Sequence, residues 1–114
     1  MLKMFIFVNK SIRMKPSQIS VQTAHISHKI TNTLFKRCYD NSQFPIPKEC
    51  IDYINWNENP TIIIYRATTT QLEILEKMEN SCSFYDYGDK LTVVGFYPIL
   101  DTDILEITKD YSLL

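Results

Sequence analysis

Hydrophobic and polar residues alternate along the chain in a pattern that predicts four strands and four helices. Apolar runs at residues 4–8 and 61–65 are typical of strands buried on both faces of a sheet. A hairpin is predicted from two further strands, at residues 83–87 and 91–97, because a short link containing Gly88 joins them. Helical spacing marks the stretches between the strands, at residues 16–37, 45–56, 68–79 and 101–109.

The resulting order, β-α-α-β-α-β-β-α, constrains the fold. Strands that are separated by helices need crossover connections and pair in parallel, whereas the two hairpin strands pair antiparallel. We therefore predict an α/β protein, a three-layer α/β/α sandwich with a mixed sheet of about four strands. The chain of 114 residues is predicted to form a single domain, with the strand at residues 4–8 in the middle of the sheet.

Helical spacing also predicts which side chains face the core. In the first helix the core-facing residues are Ile19, Thr23, Ile26, Ile30 and Leu34. In the three later helices they are Cys50, Ile51, Ile54, Leu72, Leu75, Met78, Ile104, Leu105 and Ile107. A separate polar stripe runs beside the core face of the first helix and consists of Gln18, Gln22, His25 and Lys29. Such a stripe is expected to border a cleft.

Composition sets limits on the class of protein. Hydrophobic residues make up 45% and charged residues 22% of the chain, which is typical of a folded domain. Because no apolar run approaches the ~20 residues of a membrane-spanning helix, we expect no membrane partner and a cytoplasmic location. The three cysteines, Cys38, Cys50 and Cys82, contain no C-x-x-C pair, so we expect them to be reduced and to bind no metal.

Charge is unevenly distributed along the chain. Residues 1–39 contain seven basic residues and no acidic one, whereas the remainder contains five basic and thirteen acidic residues. A basic face of this kind suits a partner that carries phosphate groups. The alternative is that the lysines only keep the long helix solvated, and charge by itself does not separate the two interpretations.

The first helix resembles that of the type 2 peptidyl-tRNA hydrolases. Met14, Gln22 and His25 match the M-x-x-G-K-x-x-x-Q-x-x-H signature of that family. The resemblance implies hydrolysis of the ester that joins a peptide to the 3′-terminal ribose of tRNA, without a metal or cofactor. It further implies that His25 acts as general base or proton shuttle and that Gln22 positions the water or the ribose.

The hairpin continues this resemblance, which covers nearly the whole chain. Asp86-Tyr87-Gly88 stands at the family's D-A-G motif, and residues 92–98 stand at its T-V-L-G-x-G-P motif. The only two glycines of the chain, Gly88 and Gly95, both fall on glycines of the family pattern. The resemblance implies that Asp86 orients or stabilises His25 and that Gly88, Thr92 and Gly95 shape the site.

The departures from the family pattern lie at the same site. The family's G-K pair falls on Ser17-Gln18, so Gln18 replaces a cation that is expected to act at the start of the helix, and Lys15 is the nearest substitute. Tyr97 replaces the family's second glycine, and the link between Gly88 and Thr92 is shorter than in the family. Phosphate contacts are expected from the basic residues Arg13, Lys15, Lys29 and Lys36.

Two alternatives to a hydrolase remain open at this point. A relative that has lost the family lysine can instead bind tRNA or another protein without catalysing a reaction, as a diverged viral or phage copy would. An apolar patch of Val21, Ala24 and Phe35 on the first helix can also support a homodimer. His28 has no counterpart in the motif and is expected to be a packing or surface residue.

Overall fold

The computed structural model describes residues 1–39 and 46–114, with Tyr39 described by its main chain only. The predicted helix break at residues 40–43, and the predicted helix start at Pro45, lie outside the described residues. The strands are β1 (Leu2–Asn9), β2 (Ile62–Ala67), β3 (Ser81–Asp86), β4 (Lys90–Phe96), β5 (Ile99–Leu100) and β6 (Ser112–Leu113). The helices are α1 (Pro16–Tyr39), α2 (Lys48–Glu58), α3 (Thr69–Glu76) and α4 (Leu105–Thr108).

β1 is the central strand of a mixed sheet in the order β3-β4-β1-β2-β6. It pairs in parallel with β2 and antiparallel with β4, and β5 adds to its amino-terminal end. The hairpin of β3 and β4 is antiparallel, as predicted. Residues 4–9 are all buried, which agrees with a strand covered on both faces.

Buried side chains form a core on each face of the sheet, because successive residues of β1 point to opposite sides. One core contains residues of β1, α1 and α2, namely Met4, Ile6, Val8, Ile26, Ile30, Leu34 and Trp56. The other contains residues of β1, α3 and the C-terminal segment, namely Phe5, Phe7, Leu72, Leu75 and Ile104. The long helix α1 therefore packs against one face of the sheet only.

The predicted α/β class and the mixed sheet are confirmed, but the prediction of about four strands is wrong. Across residues 1–39 and 46–114 the sheet has six strands, because the two-residue strands β5 and β6 pair with the outer parts of β1 and β2. The layering is also less regular than a three-layer sandwich, since the predicted last helix is a 3-10 turn at Asp101–Asp103 followed by a single α-helical turn in α4. Short strands of this kind carry too little periodicity to be predicted.

Three predicted core positions are wrong. In α2, Ile51 and Ile54 are 45% and 59% exposed, because the helix turns Tyr53 and Trp56 towards the core instead. The indole N–H of Trp56 donates to the carbonyl oxygen of Thr61 at 2.9 Å, which sets the rotation of the helix. Leu105 is likewise exposed, since α4 has only one turn.

β2 is more exposed than its three consecutive isoleucines predict. Ile62 is 43% exposed, whereas Ile63 and Ile64 are half-buried. β2 has β1 on one side, but on the other side only the short β6 pairs with it, at Tyr65 and Arg66. A strand next to the edge of a sheet is covered less completely than a central one, so apolar composition overestimates its burial.

The cysteines differ from the prediction as well. Cys38 and Cys50 form a disulfide that joins the end of α1 to the first turn of α2, with Cα atoms 6.0 Å apart. That distance lies within the range of ordinary disulfides. The expectation of three reduced cysteines is therefore wrong for this pair, because the fold brings together two residues whose spacing in sequence matches no motif. Cys82 is a buried free thiol.

Within the described residues, none of the helices combines the length and the apolar character that crossing a lipid bilayer requires. Tyr97, at the family's second glycine, lies after β4 at the end of the sheet away from the polar stripe. It is buried in the core beneath the guanidinium of Arg37, which lies 5.4 Å from the centre of its ring.

Candidate functional site

The candidate site lies at the edge of the sheet where β1 ends and α1 begins. β4 is antiparallel to β1 and β3 is antiparallel to β4, so the turn between β3 and β4 reaches the same edge. This topology brings Asp86, at the end of β3, next to the first turns of α1. Crevices outside the carboxyl ends of parallel strands are the usual place for ligands in α/β sheets.

Gln22 is the centre of a hydrogen-bonded chain that joins α1 to both hairpin strands. Its Nε2 donates to Asp86 Oδ2 at 3.0 Å, and its Oε1 accepts from the Thr92 hydroxyl at 2.7 Å. Gln22 and Thr92 are fully buried, and the Thr92 hydroxyl also lies 3.0 Å from the carbonyl oxygen of Phe84. The amide of Gln22 is therefore satisfied by protein groups and fixes the carboxylate of Asp86 instead of facing a ligand.

Asp86 is held in its ionised form. The hydrogen bond from Gln22 lowers the pKa of Asp86, and the N–H of Tyr87, which donates to Asp86 Oδ1 at 2.8 Å, lowers the pKa further. The nearby charge of His25 acts in the same direction, whereas partial burial opposes it. Because these hydrogen bonds favour the charged form, Asp86 is a stable negative group at neutral pH.

His25 is an exposed residue of α1 that is fixed by a ring contact. Its imidazole stacks on the phenyl ring of Phe84, with ring centres 4.6 Å apart and planes inclined by 17°. No residue in the described ranges forms a hydrogen bond with the imidazole, so both ring nitrogens remain accessible to water or substrate. The predicted pair of His25 and Asp86 is thus brought together at one edge of the sheet.

The turn between β3 and β4 consists of three residues with positive φ, Tyr87 at 52°, Gly88 at 78° and Asp89 at 64°. Only Gly adopts this conformation without steric cost, so Tyr87 and Asp89 are strained. The hydroxyl of Tyr87 lies 3.5 Å from Gln22 Nε2, which places its ring at the rim of the site. Tyr87 replaces the family's alanine, and its role was not anticipated from the sequence.

Gly95 positions α1 on the sheet. A Cβ atom at Gly95 would lie 2.9 Å from both Ile26 Cγ1 and Ile30 Cδ1, closer than side-chain contacts allow. The absence of a side chain therefore lets α1 approach β4 and brings Gln22 within reach of Thr92. Gly95 shapes the site from beneath the helix, whereas Gly88 shapes the turn.

Gln18 does not take part in the hydrogen-bonded chain of Gln22, Asp86 and Thr92, which we call the Asp86 cluster. Its Oε1 accepts the main-chain N–H of Lys15 at 2.7 Å, while its own N–H donates to the carbonyl oxygen of Lys15 at 2.9 Å. This pattern is half of a capping box, and it uses the side chain to begin α1. The residue that aligns with the lysine of the family pattern therefore takes part here in capping the helix.

The predicted phosphate contacts are spread over the surface. Lys29 lies one turn after His25 and donates to the carbonyl oxygen of Ser83 at 2.6 Å, so it is tied to β3. Lys36 is exposed and lies eleven residues after His25, about 16 Å along the helix axis. Arg13 and Lys15 are exposed at the start of α1. These four cations do not form one cluster.

Besides Tyr87, two further residues with structural roles at the site were not predicted. The ring of Phe84 stacks on the imidazole of His25. The only sequence signal for this role is the position of Phe84 in a predicted strand. Asn9 is buried at the end of β1, where its Nδ2 donates to Thr69 Oγ1 and to the carbonyl oxygen of Leu91. An asparagine directly after an apolar strand is a sequence signal for such a residue, because a buried amide needs hydrogen-bond partners.

The candidate site contains the carboxylate of Asp86, the imidazole of His25, the amide of Gln22 and the hydroxyl of Thr92. The described ranges contain no group of three or more His, Cys, Asp or Glu residues that can hold a metal ion. Comparison with other proteins adds no relative to the resemblance noted from the sequence: no protein-family model and no curated protein matches the chain.

Proposed function

We propose that this protein hydrolyses the ester between a peptide and the 3′-terminal ribose of tRNA. The observation that carries the proposal is the ionised Asp86, fixed by the buried chain of Gln22 and Thr92, beside an imidazole whose nitrogens are accessible. Ester hydrolysis needs a base that activates water, and a histidine imidazole is suited to that task.

In the proposed reaction His25 removes a proton from water as the water oxygen attacks the ester carbonyl. His25 then gives this proton to the ribose oxygen as the bond between the acyl carbon and that oxygen breaks, which releases the peptide acid and the tRNA. Asp86 stabilises the positive charge that develops on the imidazole, because its carboxylate is held ionised nearby. The stack on Phe84 limits rotation of His25, so the base is already oriented when substrate binds. Gln22 acts as a positioning residue through Asp86, and Lys15 supplies positive charge near the start of α1.

The test is deacylation of N-acetylated aminoacyl-tRNA by the purified protein. We expect turnover above the buffer rate, and a loss of about 10²- to 10⁴-fold in His25→Ala, which removes the base. Asp86→Asn is expected to lower the rate as well, because the amide cannot stabilise an imidazolium. His28→Ala is the matched control, since His28 is exposed on α1 three residues further along. Equal rates in all four proteins would refute the proposal.

A second candidate function, RNA binding without catalysis, is favoured by one observation. Gln18 stands at the family lysine and is engaged in capping α1, so no cation occupies that position. The binding-only alternative predicts that the natural protein does not deacylate the substrate, whereas Gln18→Lys restores turnover. Binding would then weaken steeply as salt rises, because displaced counterions accompany each phosphate contact.

A homodimer through α1 is the third arrangement to be tested. Val21 is 49% exposed, and Ala24 is exposed on the same helix. Both side chains are therefore accessible to a second copy of the chain. Light scattering of the purified protein determines the mass in solution, and Val21→Lys is expected to shift a dimer that uses this surface towards the monomer.

A further inference from the structure

A cleft of about 300 Å³ lies outside the carboxyl ends of the parallel strands β1 and β2. Its cationic lining residues are Lys10, Arg13 and Arg66, and its apolar wall includes Ile12, Met14 and Ile19. Val8, Asn9 and Leu114 complete the lining. The cleft is separate from the Asp86 cluster, but the two share the beginning of α1. Its volume is at the lower end of the range for small-ligand sites.

The side chains that line this cleft carry a net positive charge, in contrast to those of two other clefts of similar size. No aspartate or glutamate side chain lines it, whereas acidic residues outnumber basic ones in two further clefts of about 280 and 300 Å³. One of these contains Glu49, Asp52, Glu79 and Asp103, and the other contains Glu73, Glu76 and Asp89. Within the described ranges, Lys10, Arg13 and Arg66 form no ion pair with an acidic residue. Their charges are therefore available to a ligand.

The main chain that carries these cations is held in place. The N–H of Lys10 donates to the carbonyl oxygen of Ala67 at 2.7 Å, which joins the end of β1 to the end of β2. The next residue, Ser11, donates its N–H to Asn9 Oδ1 at 2.7 Å. Arg66 belongs to β2 and pairs in register with Val8. The segment between β1 and α1 is thus fixed at its base, so the basic side chains project from an ordered frame.

We propose that this cleft binds a phosphate group of an RNA strand. Guanidinium groups suit phosphate because they present two parallel donors to its oxygens, and the cleft supplies two of them beside a lysine. The apolar wall suits the sugar or base attached to that phosphate. A small cleft of this kind accommodates one nucleotide unit, which favours a single strand over a duplex.

The cleft and the candidate site both border the first turns of α1. Ile19 lines the cleft and precedes His25 by six residues, a separation of about 9 Å along the helix axis. A strand whose phosphate is held by Arg13 and Arg66 therefore has its neighbouring nucleotides close to the Asp86 cluster. The proposal rests on the proposed function for the identity of the RNA, and it adds Lys10 and Arg66 to the residues that hold it.

The test measures binding of a fluorescein-labelled single-stranded RNA that ends in CCA, by anisotropy, at several salt concentrations. We expect Arg13→Gln and Arg66→Gln each to weaken binding about tenfold at low salt. Each is also expected to reduce the slope of log affinity against log salt by about 0.7, the value for one phosphate contact on a single strand. Lys77→Gln, which removes an exposed cation outside the cleft, is the control and is expected to change affinity less than twofold.

Deacylation assays on the same proteins separate this proposal from the proposed function. RNA binding that depends on Arg13 and Arg66, in a protein without hydrolytic activity, supports the cleft and refutes the hydrolase. Hydrolysis together with RNA binding that is unchanged in both arginine variants overturns the cleft proposal alone. The cleft proposal is also overturned if the wild-type protein does not bind the RNA, or if Lys77→Gln weakens binding as much as the arginine variants do.

Discussion

The imidazole of His25 lies nearly parallel to the phenyl ring of Phe84, with ring centres 4.6 Å apart. This contact joins an exposed helical residue to β3, and it orients the imidazole without using either ring nitrogen. Stacked aromatic pairs contribute about 0.5–1.5 kcal/mol beyond the burial of their area, enough to favour one orientation of an otherwise mobile side chain.

The stack predicts a signature in the NMR spectrum. Ring current from Phe84 is expected to move the carbon-bound imidazole protons of His25 upfield, and Phe84→Leu is expected to return them to ordinary positions. The chain has only two histidines, so His28 serves as an internal reference in the same spectrum. Identical shifts for His25 in the wild type and in Phe84→Leu would show that the stack is absent in solution.

Removal of the Gln22 amide is expected to destabilise the protein and to raise the pKa of Asp86. In Gln22→Leu the carboxylate loses the donor that contributes most to its lowered pKa, and Thr92 loses a buried acceptor. We expect a loss of about 1–3 kcal/mol in the free energy of unfolding at pH 7. Urea denaturation measures this change, and NMR titration of the Asp86 carboxyl carbon measures the pKa.

The effect of Gln22→Leu is expected to depend on pH with a definite sign. The folded pKa of Asp86 lies below its ordinary value of 3.8, so its contribution to stability is present above that value and is lost as pH falls through the folded pKa. The wild type and Gln22→Leu should therefore differ less at pH 3 than at pH 7. Asp86→Asn is the control, because it removes the titrating group. A difference that grows on acidification would contradict the assignment.

The two glycines are expected to respond differently to alanine. Gly95→Ala forces α1 away from β4, because the new Cβ meets Ile26 and Ile30, and should cost about 1–3 kcal/mol. Gly88→Ala meets no atom within 4 Å but keeps a φ of +78°, so about 1–2 kcal/mol of backbone strain is expected. Urea denaturation measures both losses. Only Gly95→Ala should also shift the His25 resonances, and a shift of equal size in Gly88→Ala would contradict this role of Gly95.

Reduction of the disulfide between Cys38 and Cys50 is expected to lower stability by about 3 kcal/mol. The bond closes a loop with a sequence separation of 12, and this estimate follows from the entropy that such a cross-link removes from the unfolded chain. Urea denaturation with and without reducing agent measures the change. The double variant Cys38→Ser/Cys50→Ser should be insensitive to the reducing agent, and an equal response in both proteins would exclude the disulfide as the cause.

Sequence reasoning predicted most of the regular elements because each has a strong local signal. The apolar run at residues 4–8 became the central strand, and the helix predicted from residue 68 begins with a capping box in which Thr68 and Gln71 exchange hydrogen bonds. The spacing of Ile26, Ile30 and Leu34 identified the buried face of α1. Where the signal was short, as in β5, β6 and α4, or depended on which face a helix turns inwards, as in α2, the prediction was wrong.

The sequence by itself determined that His25 and Gln22 lie on one helix and Asp86 on a hairpin strand, because helical periodicity and turn residues act over a few neighbours. Only the tertiary structure decided that Gln22 is buried and joined to Asp86 and Thr92, since that contact spans 64 residues and needs the close approach allowed at Gly95. It likewise decided that Gln18 caps α1, that Phe84 stacks on His25, and that Arg66 lines the same cleft as Arg13. Pairings between distant segments depend on the packing of the whole chain, which no local pattern records.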